Sequence, residues 1–153
     1  MPSVGSFLVG RHICDALVSE FKRQRKANRS YAFNAQYDNG VKTDFECVEL
    51  RPKSLAARTV FEIIKRHVPC TECSTMRLHR LDRSQYLTPH TDAYYAGHQT
   101  ILILLNQKGA GRFKLRRRVY HERPFHATVF PADTVHETTP GAGVRYTLVA
   151  WVR

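Results

Sequence analysis

The sequence is short of acidic residues and has no long apolar run. It carries 13 Asp and Glu against 24 Lys and Arg, which gives a formal net charge of +11. No apolar run approaches the roughly 20 residues that a membrane-spanning helix needs, and the N-terminus lacks the basic leader and apolar stretch of a signal peptide. We therefore expect a cytoplasmic protein with no membrane partner. Its positive charge either marks an ordinary solvated surface or attracts nucleic acid, acidic protein surfaces or anionic small molecules.

Cysteine is also scarce. The four cysteines, Cys14, Cys47, Cys70 and Cys73, are too few for a disulfide scaffold. Cys70 and Cys73 form one C-x-x-C pair, but no second pair follows at a spacing that suits structural zinc, and no thioredoxin-like context surrounds it. The cysteines are predicted to be incidental reduced thiols.

The chain has 153 residues, which is long enough for one domain. Its first part shows helical periodicity. From Arg11 to about Lys26, apolar residues recur at helical spacing, and a second helix is predicted from the N-cap Ser54 to about His67. Tyr31 to Gly40 is predicted to be a loop with an Asp-Asn-Gly turn.

After Pro69 the pattern changes to short strands separated by Gly and Pro turns, which favours a sandwich or barrel. We predict a further strand before the second helix and six strands after it: Phe45–Leu50, Thr75–Leu81, Gln85–Pro89, Gln99–Leu105, Arg112–Val119, His126–Phe130 and Arg145–Val152. The fold class is therefore α+β, with one domain over residues 1–153: a helical layer over about 1–70 and a β core over about 71–153.

Within the β part, His90 and Asp92 form an H-x-D motif. Residues two apart on a strand point to the same face, so the two side chains can converge on one metal ion. A second histidine from elsewhere in the fold would complete the two-histidine, one-carboxylate set of non-haem iron(II) oxygenases. An isolated H-x-D is common, and this spacing alone leaves open which histidine is the third ligand.

The C-terminal segment narrows that choice by resemblance. Residues 129–151 run from Val-Phe-Pro through His136-Glu137, Pro140 and Arg145 to Trp151. This pattern, together with residues 85–92 and 100–106, resembles the prolyl-hydroxylase-like branch of the iron(II)- and 2-oxoglutarate-dependent oxygenases. The resemblance covers roughly residues 75–153. It implies a double-stranded β-helix, or jelly-roll, core supported by the N-terminal helices.

The same resemblance implies roles for individual residues. His90, Asp92 and His136 correspond to the iron(II) ligands and catalytic centre, and Arg145 to the basic residue that binds the distal carboxylate of 2-oxoglutarate, the cosubstrate used with O2. Relatives often add a Tyr contact to that carboxylate, but Arg80, Leu81 and Ile103 occupy the corresponding positions here. Four residues are candidates to replace this contact: Tyr86, Thr147, Thr100 and Arg77. Of these, we predict that Tyr86 and Thr147 bind the cosubstrate.

The resemblance implies a dioxygenase that hydroxylates a substrate, first of all a prolyl residue in a peptide or protein. Two alternatives stay open: a nucleic-acid-modifying oxygenase, which the net charge favours, and a catalytically silent basic jelly-roll binding module. The strand predicted over Arg112–Val119 would present alternating basic residues, either as a solvated face or as a platform for an acidic substrate. Tyr94 and Tyr95, close after Asp92, either line a substrate pocket or cap the barrel end.

Overall fold

The computed structural model describes residues 4–153, and its elements are two α-helices, one short 3-10 helix and eleven strands. The helices are α1 (Arg11–Lys26), α2 (Leu55–His67) and the 3-10 helix Ala93–Tyr95. The strands are β1 (Gly5–Leu8), β2 (Tyr31–Gln36), β3 (Lys42–Glu49), β4 (Cys73–Leu81), β5 (Tyr86–His90), β6 (Gln99–Leu104), β7 (Phe113–Leu115), β8 (Arg118–Val119), β9 (His126–Pro131), β10 (His136–Thr138) and β11 (Arg145–Val152).

The strands form one curled antiparallel sheet in the order β1-β9-β6-β11-β4-β3-β5-β10-β7-β8, with β2 paired to β3. The longest pairing joins β11 to β4, and β6 lies on the other side of β11. Strands that are distant in sequence therefore lie side by side, as the jelly-roll prediction requires. The predicted fold class, α+β with a jelly-roll core and supporting helices, is confirmed.

Alternation along β11 separates the two faces of the sheet. Tyr146, Leu148, Ala150 and Val152 pack into the cluster that contains the buried helix residues. The intervening residues 145, 147, 149 and 151 point to the concave side, where they line a cavity. Because side chains alternate with period two along a strand, a single strand both anchors the helices and supplies the interior.

The helices lie where their sequences predict them. In α1 the buried residues Cys14, Leu17 and Phe21 recur at intervals of three and four, and the last turn is basic, which suits the helix dipole. In α2 the hydroxyl of Ser54 accepts a hydrogen bond from the Ala57 N–H at 3.2 Å, as expected of an N-cap. No helix within residues 4–153 has the length and apolar character needed to cross a bilayer.

The predicted division into a helical layer and a β core is wrong for the N-terminal part. Residues 31–36, predicted as loop, form β2 and pair with β3, and β1 pairs with β9. β2 has only one sheet neighbour and four of its six residues are exposed, so its apolar alternation is weak. The Asp-Asn-Gly turn itself is present, since the Gly40 N–H donates to the Tyr37 carbonyl at 2.9 Å.

The basic strand predicted over Arg112–Val119 is also wrong. Arg116 and Arg117 both have positive φ, 52° and 66°, and form a tight turn between β7 and β8. Arg112 is buried, and its guanidinium donates to four backbone carbonyls, at Asp82, Gln85, Thr139 and Gly143. The segment predicted as one strand with an exposed basic face is therefore a hairpin preceded by a buried arginine.

Candidate metal centre

Two neighbouring strands bring the H-x-D motif and His136 together. His90 ends β5, His136 begins β10, and the two residues are paired in the antiparallel register. The Nε2 atom of His90 lies 3.8 Å from Oδ1 of Asp92, and Nε2 of His136 lies 3.5 Å from Oδ2. One ion about 2 Å from each ligand atom can bridge such separations. Within residues 4–153, this is the one group of His, Cys, Asp or Glu side chains arranged to hold a metal ion.

Both imidazoles are oriented by the backbone. Nδ1 of His90 lies 2.7 Å from the Thr88 carbonyl, and Nδ1 of His136 lies 2.8 Å from the Thr134 carbonyl. Each carbonyl can only accept, so Nδ1 carries the proton and Nε2 keeps its lone pair for a metal. Burial, partly opposed by Asp92, lowers the pKa of His136, which favours its neutral, ligating form.

The Asp92 carboxylate is held by two donors. Its Oδ2 atom accepts hydrogen bonds from Thr100 Oγ1 at 2.9 Å and from Trp151 Nε1 at 3.0 Å. Trp151 itself stacks on Tyr95, with 4.2 Å between ring centroids. Thr100, predicted as a possible cosubstrate contact, and Trp151 therefore both orient the Asp92 carboxylate, one of the three candidate metal ligands.

The centre separates two spaces. An inner cavity of about 50 Å³ lies inside the curled sheet, and an outer groove of about 470 Å³ lies between the centre and the β2–β3 turn. His90, Asp92 and Trp151 border both spaces, whereas His136 and Arg145 line the inner cavity alone. A metal held here would thus face two compartments.

Arg145 lines the inner cavity together with the three candidate ligands, but its guanidinium is already paired with a carboxylate. Its side chain lines the inner cavity and is 1% exposed. Both of its Nη atoms donate to the Glu122 carboxylate, Nη2 at 3.1 Å to Oε2, and Nη1 also donates to the Gly109 carbonyl at 3.0 Å. Glu122 is equally buried. Sequence reasoning missed this residue, because nothing local links it to Arg145, 23 positions later.

His79 is a second residue that sequence reasoning missed. It lies beside Thr147 in the β4–β11 register and lines both the inner cavity and the outer groove. The side chain is buried, and its Nε2 atom has no hydrogen-bond partner within residues 4–153. Burial, with nearby cations, lowers its pKa to about 3, so the ring is neutral near pH 7. It stands eleven residues before His90.

The other predicted site residues divide between the two spaces. Thr147 lines the inner cavity beside Arg145, whereas Tyr86 lines neither space. Arg77, Tyr94 and Tyr95 line the outer groove, and Tyr94 is 91% exposed at its rim. The C-x-x-C cysteines are free, and burial raises the pKa of Cys73 to about 11.

Comparison with known proteins supports the fold. The sequence profile of the AraC-like ligand binding domain matches residues 85–150, which is less than half of the chain. No curated protein sequence matches the chain. Solved structures that resemble it include prolyl 4-hydroxylases, a 2-oxoglutarate- and iron(II)-dependent oxygenase from Burkholderia pseudomallei and a cupin barrel protein from Rhodopseudomonas palustris.

Three of these structures illustrate the likeness. A prolyl-4-hydroxylase from Pseudomonas putida is 12% identical with TM-score 0.74, and the match covers 100% of this chain and 93% of that one. A Trichoplax adhaerens prolyl hydroxylase in complex with a hypoxia inducible factor peptide is 14% identical with TM-score 0.71, covering 99% and 84%. The α-ketoglutarate-dependent epimerase SnoN from nogalamycin biosynthesis is 12% identical with TM-score 0.76, covering 99% and 78%. At these identities the likeness establishes the fold.

Proposed function

We propose that the protein is an iron(II)- and 2-oxoglutarate-dependent dioxygenase whose metal ligands are His90, Asp92 and His136. The observation that carries the proposal is this triad, with both histidines oriented through Nδ1 and both Nε2 atoms close to the carboxylate. Two histidines and one carboxylate leave coordination positions open, which suits non-haem iron(II) oxygenases. The donor set of His90, Asp92 and His136 therefore fits iron(II).

The polar groups of the inner cavity are of the kinds that bind one carboxylate end of 2-oxoglutarate. Arg145 supplies the charge and the planar fork that a carboxylate prefers, and the Thr147 hydroxyl and the neutral His79 ring lie on the same wall. The Arg145 guanidinium, however, already holds Glu122. Binding of the cosubstrate at Arg145 therefore requires Glu122 to give up part of its contact.

When bound, iron(II) and 2-oxoglutarate supply the oxidising chemistry: O2 converts 2-oxoglutarate to succinate and carbon dioxide while a substrate C–H bond is hydroxylated. The chain's own residues hold and orient the reactants. Thr100 and Trp151 fix the Asp92 carboxylate. Apolar side chains, among them Leu81, Leu102 and Phe130, line the inner cavity and exclude water from it.

For the substrate, a prolyl residue in a peptide or protein is the first candidate. Its support is the likeness to prolyl hydroxylases, one of which was solved with a peptide. A nucleic-acid substrate draws support from the net charge of +11. In either case the substrate would approach from the outer groove, which borders the metal ligands.

A catalytically silent jelly-roll binding module is the second candidate function. The match of residues 85–150 to an AraC-like ligand binding domain favours it. A binding module of this kind needs no reactive metal. It would keep its ligand when His136 is replaced by Ala.

Oxygen-dependent formation of succinate distinguishes the two functions. We expect purified protein supplied with iron(II), 2-oxoglutarate and air to form succinate, measured by NMR, even slowly and without substrate. His136→Ala is expected to abolish this turnover. His121→Ala, which removes an exposed histidine outside the centre, is the matched control and is expected to retain it. Equal succinate from the wild type and His136→Ala would contradict the proposal.

A further inference from the structure

The outer groove collects polar groups that lack partners. Four buried side-chain polar atoms have no hydrogen-bond partner within residues 4–153, and three of them belong to residues that line this groove. They are Thr43 Oγ1, Arg77 Nε and His79 Nε2. Buried polar atoms in folded proteins are nearly always paired, so a cluster of unpaired ones beside a metal centre indicates a ligand that supplies the missing partners.

Arg77 carries the positive charge of this groove. Its guanidinium lies over the Trp151 ring, 5.6 Å from the centroid, and Trp151 donates to the metal ligand Asp92. It makes no ion pair in the described part of the chain, not even with Glu49, its neighbour in the β3–β4 register. A partly buried cation without a counter-ion, held rigidly by stacking, is suited to bind an anion.

The remaining walls of the groove are apolar or aromatic. Phe33 and Phe45 stack with 5.1 Å between their centroids, and Val41 and Leu87 lie beside them. Tyr37 and Tyr94 stand at the rim and are 43% and 91% exposed. The volume of about 470 Å³ falls in the range of small-molecule pockets. This shape suits a compact apolar or aromatic body that carries one acidic group.

We propose that the outer groove binds a small carboxylic acid with an apolar body, whose carboxylate is held by Arg77 with a hydrogen bond from His79. The role of this acid as the substrate rests on the proposed oxygenase function, whereas its binding does not, because neither residue is a metal ligand. A carboxylate at Arg77 lies next to Trp151 and hence close to the centre. The acid's apolar body lies against Phe33 and Phe45.

Fluorescence of Trp151 tests this proposal, since it is the single tryptophan of the chain and forms part of the groove wall. Metal-free protein is titrated with 3-phenylpropionic acid and with its neutral amide, 3-phenylpropionamide. We expect the acid to bind about tenfold or more tightly than the amide, because charge-assisted hydrogen bonds are lost with the amide. Equal affinity for the two compounds would overturn the proposal.

Variants at two arginines of the same strand sharpen the test. Arg77→Gln is expected to lose the preference for the acid, and Arg77→Lys to keep part of it. Arg80→Gln is the matched control: it removes the same charge, but Arg80 belongs to the opposite face of β4, where it faces Glu46. The Arg77 Nε atom has no hydrogen-bond partner within residues 4–153, so its variants should fold, which a urea unfolding curve checks. A preference that survives in Arg77→Gln, or vanishes in Arg80→Gln, would overturn the assignment.

A titration with two peptides tests whether the bound carboxylate belongs to a small acid or to a peptide side chain. Acetyl-Glu-Pro-amide and acetyl-Gln-Pro-amide are titrated in the same way. We expect both to bind more weakly than 3-phenylpropionic acid. If the Glu peptide binds tenfold more tightly than the small acid, the carboxylate belongs to a peptide, and the assignment to a small acid is wrong. All titrations use metal-free protein, so they remain informative if the iron experiment fails.

Discussion

At the scale of single residues, Asp92 links the metal centre to the fold. One of its oxygens accepts hydrogen bonds from Thr100 on β6 and Trp151 on β11, two strands that are adjacent in the sheet. The carboxylate is therefore oriented by side chains from the most extensively paired part of the molecule. Such outer contacts restrict the freedom of a ligand before the metal arrives and so raise metal affinity.

Trp151→Phe should weaken metal binding. The change keeps an aromatic ring against Tyr95 but removes the donor to Asp92 Oδ2. We expect metal affinity to fall about tenfold or more, measured by anaerobic titration with iron(II). Val149→Ala, on the same face of β11, is the control for altered packing and should change affinity little. Equal losses in the two variants would mean that packing, and not the hydrogen bond, is responsible.

Glu122→Gln should weaken the fold and strengthen cosubstrate binding. Breaking a buried ion pair leaves Arg145 with an uncompensated charge, which we expect to cost about 3 to 5 kcal/mol of unfolding free energy. A dicarboxylate can then supply the missing charge. 2-Oxoglutarate should therefore raise the Tm of metal-free Glu122→Gln more than that of the wild type.

The exposed pair between Glu72 and Arg153 provides the control for this variant. Glu72→Gln removes the same kind of charge at the surface and should change neither stability nor the effect of 2-oxoglutarate appreciably. If 2-oxoglutarate stabilises the wild type at least as much as Glu122→Gln, Glu122 does not compete for Arg145.

The sequence could predict the three candidate metal ligands but not their surroundings. His90 and Asp92 share a local motif, and the pattern around His136 is carried by its immediate neighbours. Glu122 and His79 have no such local pattern. Their positions depend on pairings between distant segments, which a single sequence does not reveal. The predicted cosubstrate roles of Arg145, Thr147 and Tyr86 stay predictions, although Tyr86 lies outside both spaces.

At the scale of elements, prediction succeeded where one face of an element is buried and one is exposed. Both helices have this character, and β4 approaches it, since Met76 and Leu78 are buried between less buried residues. β1 has four residues and β2 has one sheet neighbour, so tertiary pairing and not local sequence determines them. The β7–β8 hairpin was missed because its turn uses Arg116 and Arg117 at positive φ, where Asn-Gly is usual.

Arg112 holds two connections of the β core together. Its guanidinium joins the β4–β5 turn, at Asp82 and Gln85, to the β10–β11 connection, at Thr139 and Gly143. Gly141 packs against it so closely that a Cβ atom there would lie 2.4 Å from Arg112 Cδ. This connection leads directly into Arg145 on β11.

Arg112→Met should therefore be strongly destabilising. Methionine fills a similar volume but leaves four carbonyl groups without their donor, for which we expect a loss of about 3 kcal/mol in urea unfolding. Arg118→Met removes an exposed arginine from the neighbouring hairpin strand and should change stability little. Similar unfolding free energies for the two variants would contradict the role given to Arg112.

At the scale of the whole molecule, stability should depend on pH through buried neutral histidine. The pKa of His79 falls from its ordinary 6.5 to about 3 in the folded protein, so protons bind preferentially to the unfolded chain. The contribution of neutral His79 to stability is fully present above pH 6.5 and is lost as the pH falls towards 3. His79 alone should remove about 2 kcal/mol between pH 7 and pH 5, and His136 acts in the same direction.

Urea unfolding of metal-free protein at pH 7 and pH 5 measures this effect. His79→Gln cannot take up the proton, so its unfolding free energy should fall less over the same interval, whatever its stability at pH 7. His12→Gln changes an exposed histidine on α1 and should follow the wild type. A pH dependence that is identical in wild type and His79→Gln would show that His79 does not titrate differently in the folded and unfolded states.

The central claim is that one centre holds iron(II) and admits 2-oxoglutarate beside it. Adding both to metal-free protein without oxygen tests this most directly, through the weak visible charge-transfer band of iron(II) chelated by 2-oxoglutarate. The band should appear in the wild type and in His121→Ala, weaken in Arg145→Ala, and be lost in His136→Ala. Folded wild-type protein that gives no band at any concentration of 2-oxoglutarate would contradict the account and favour the silent binding module.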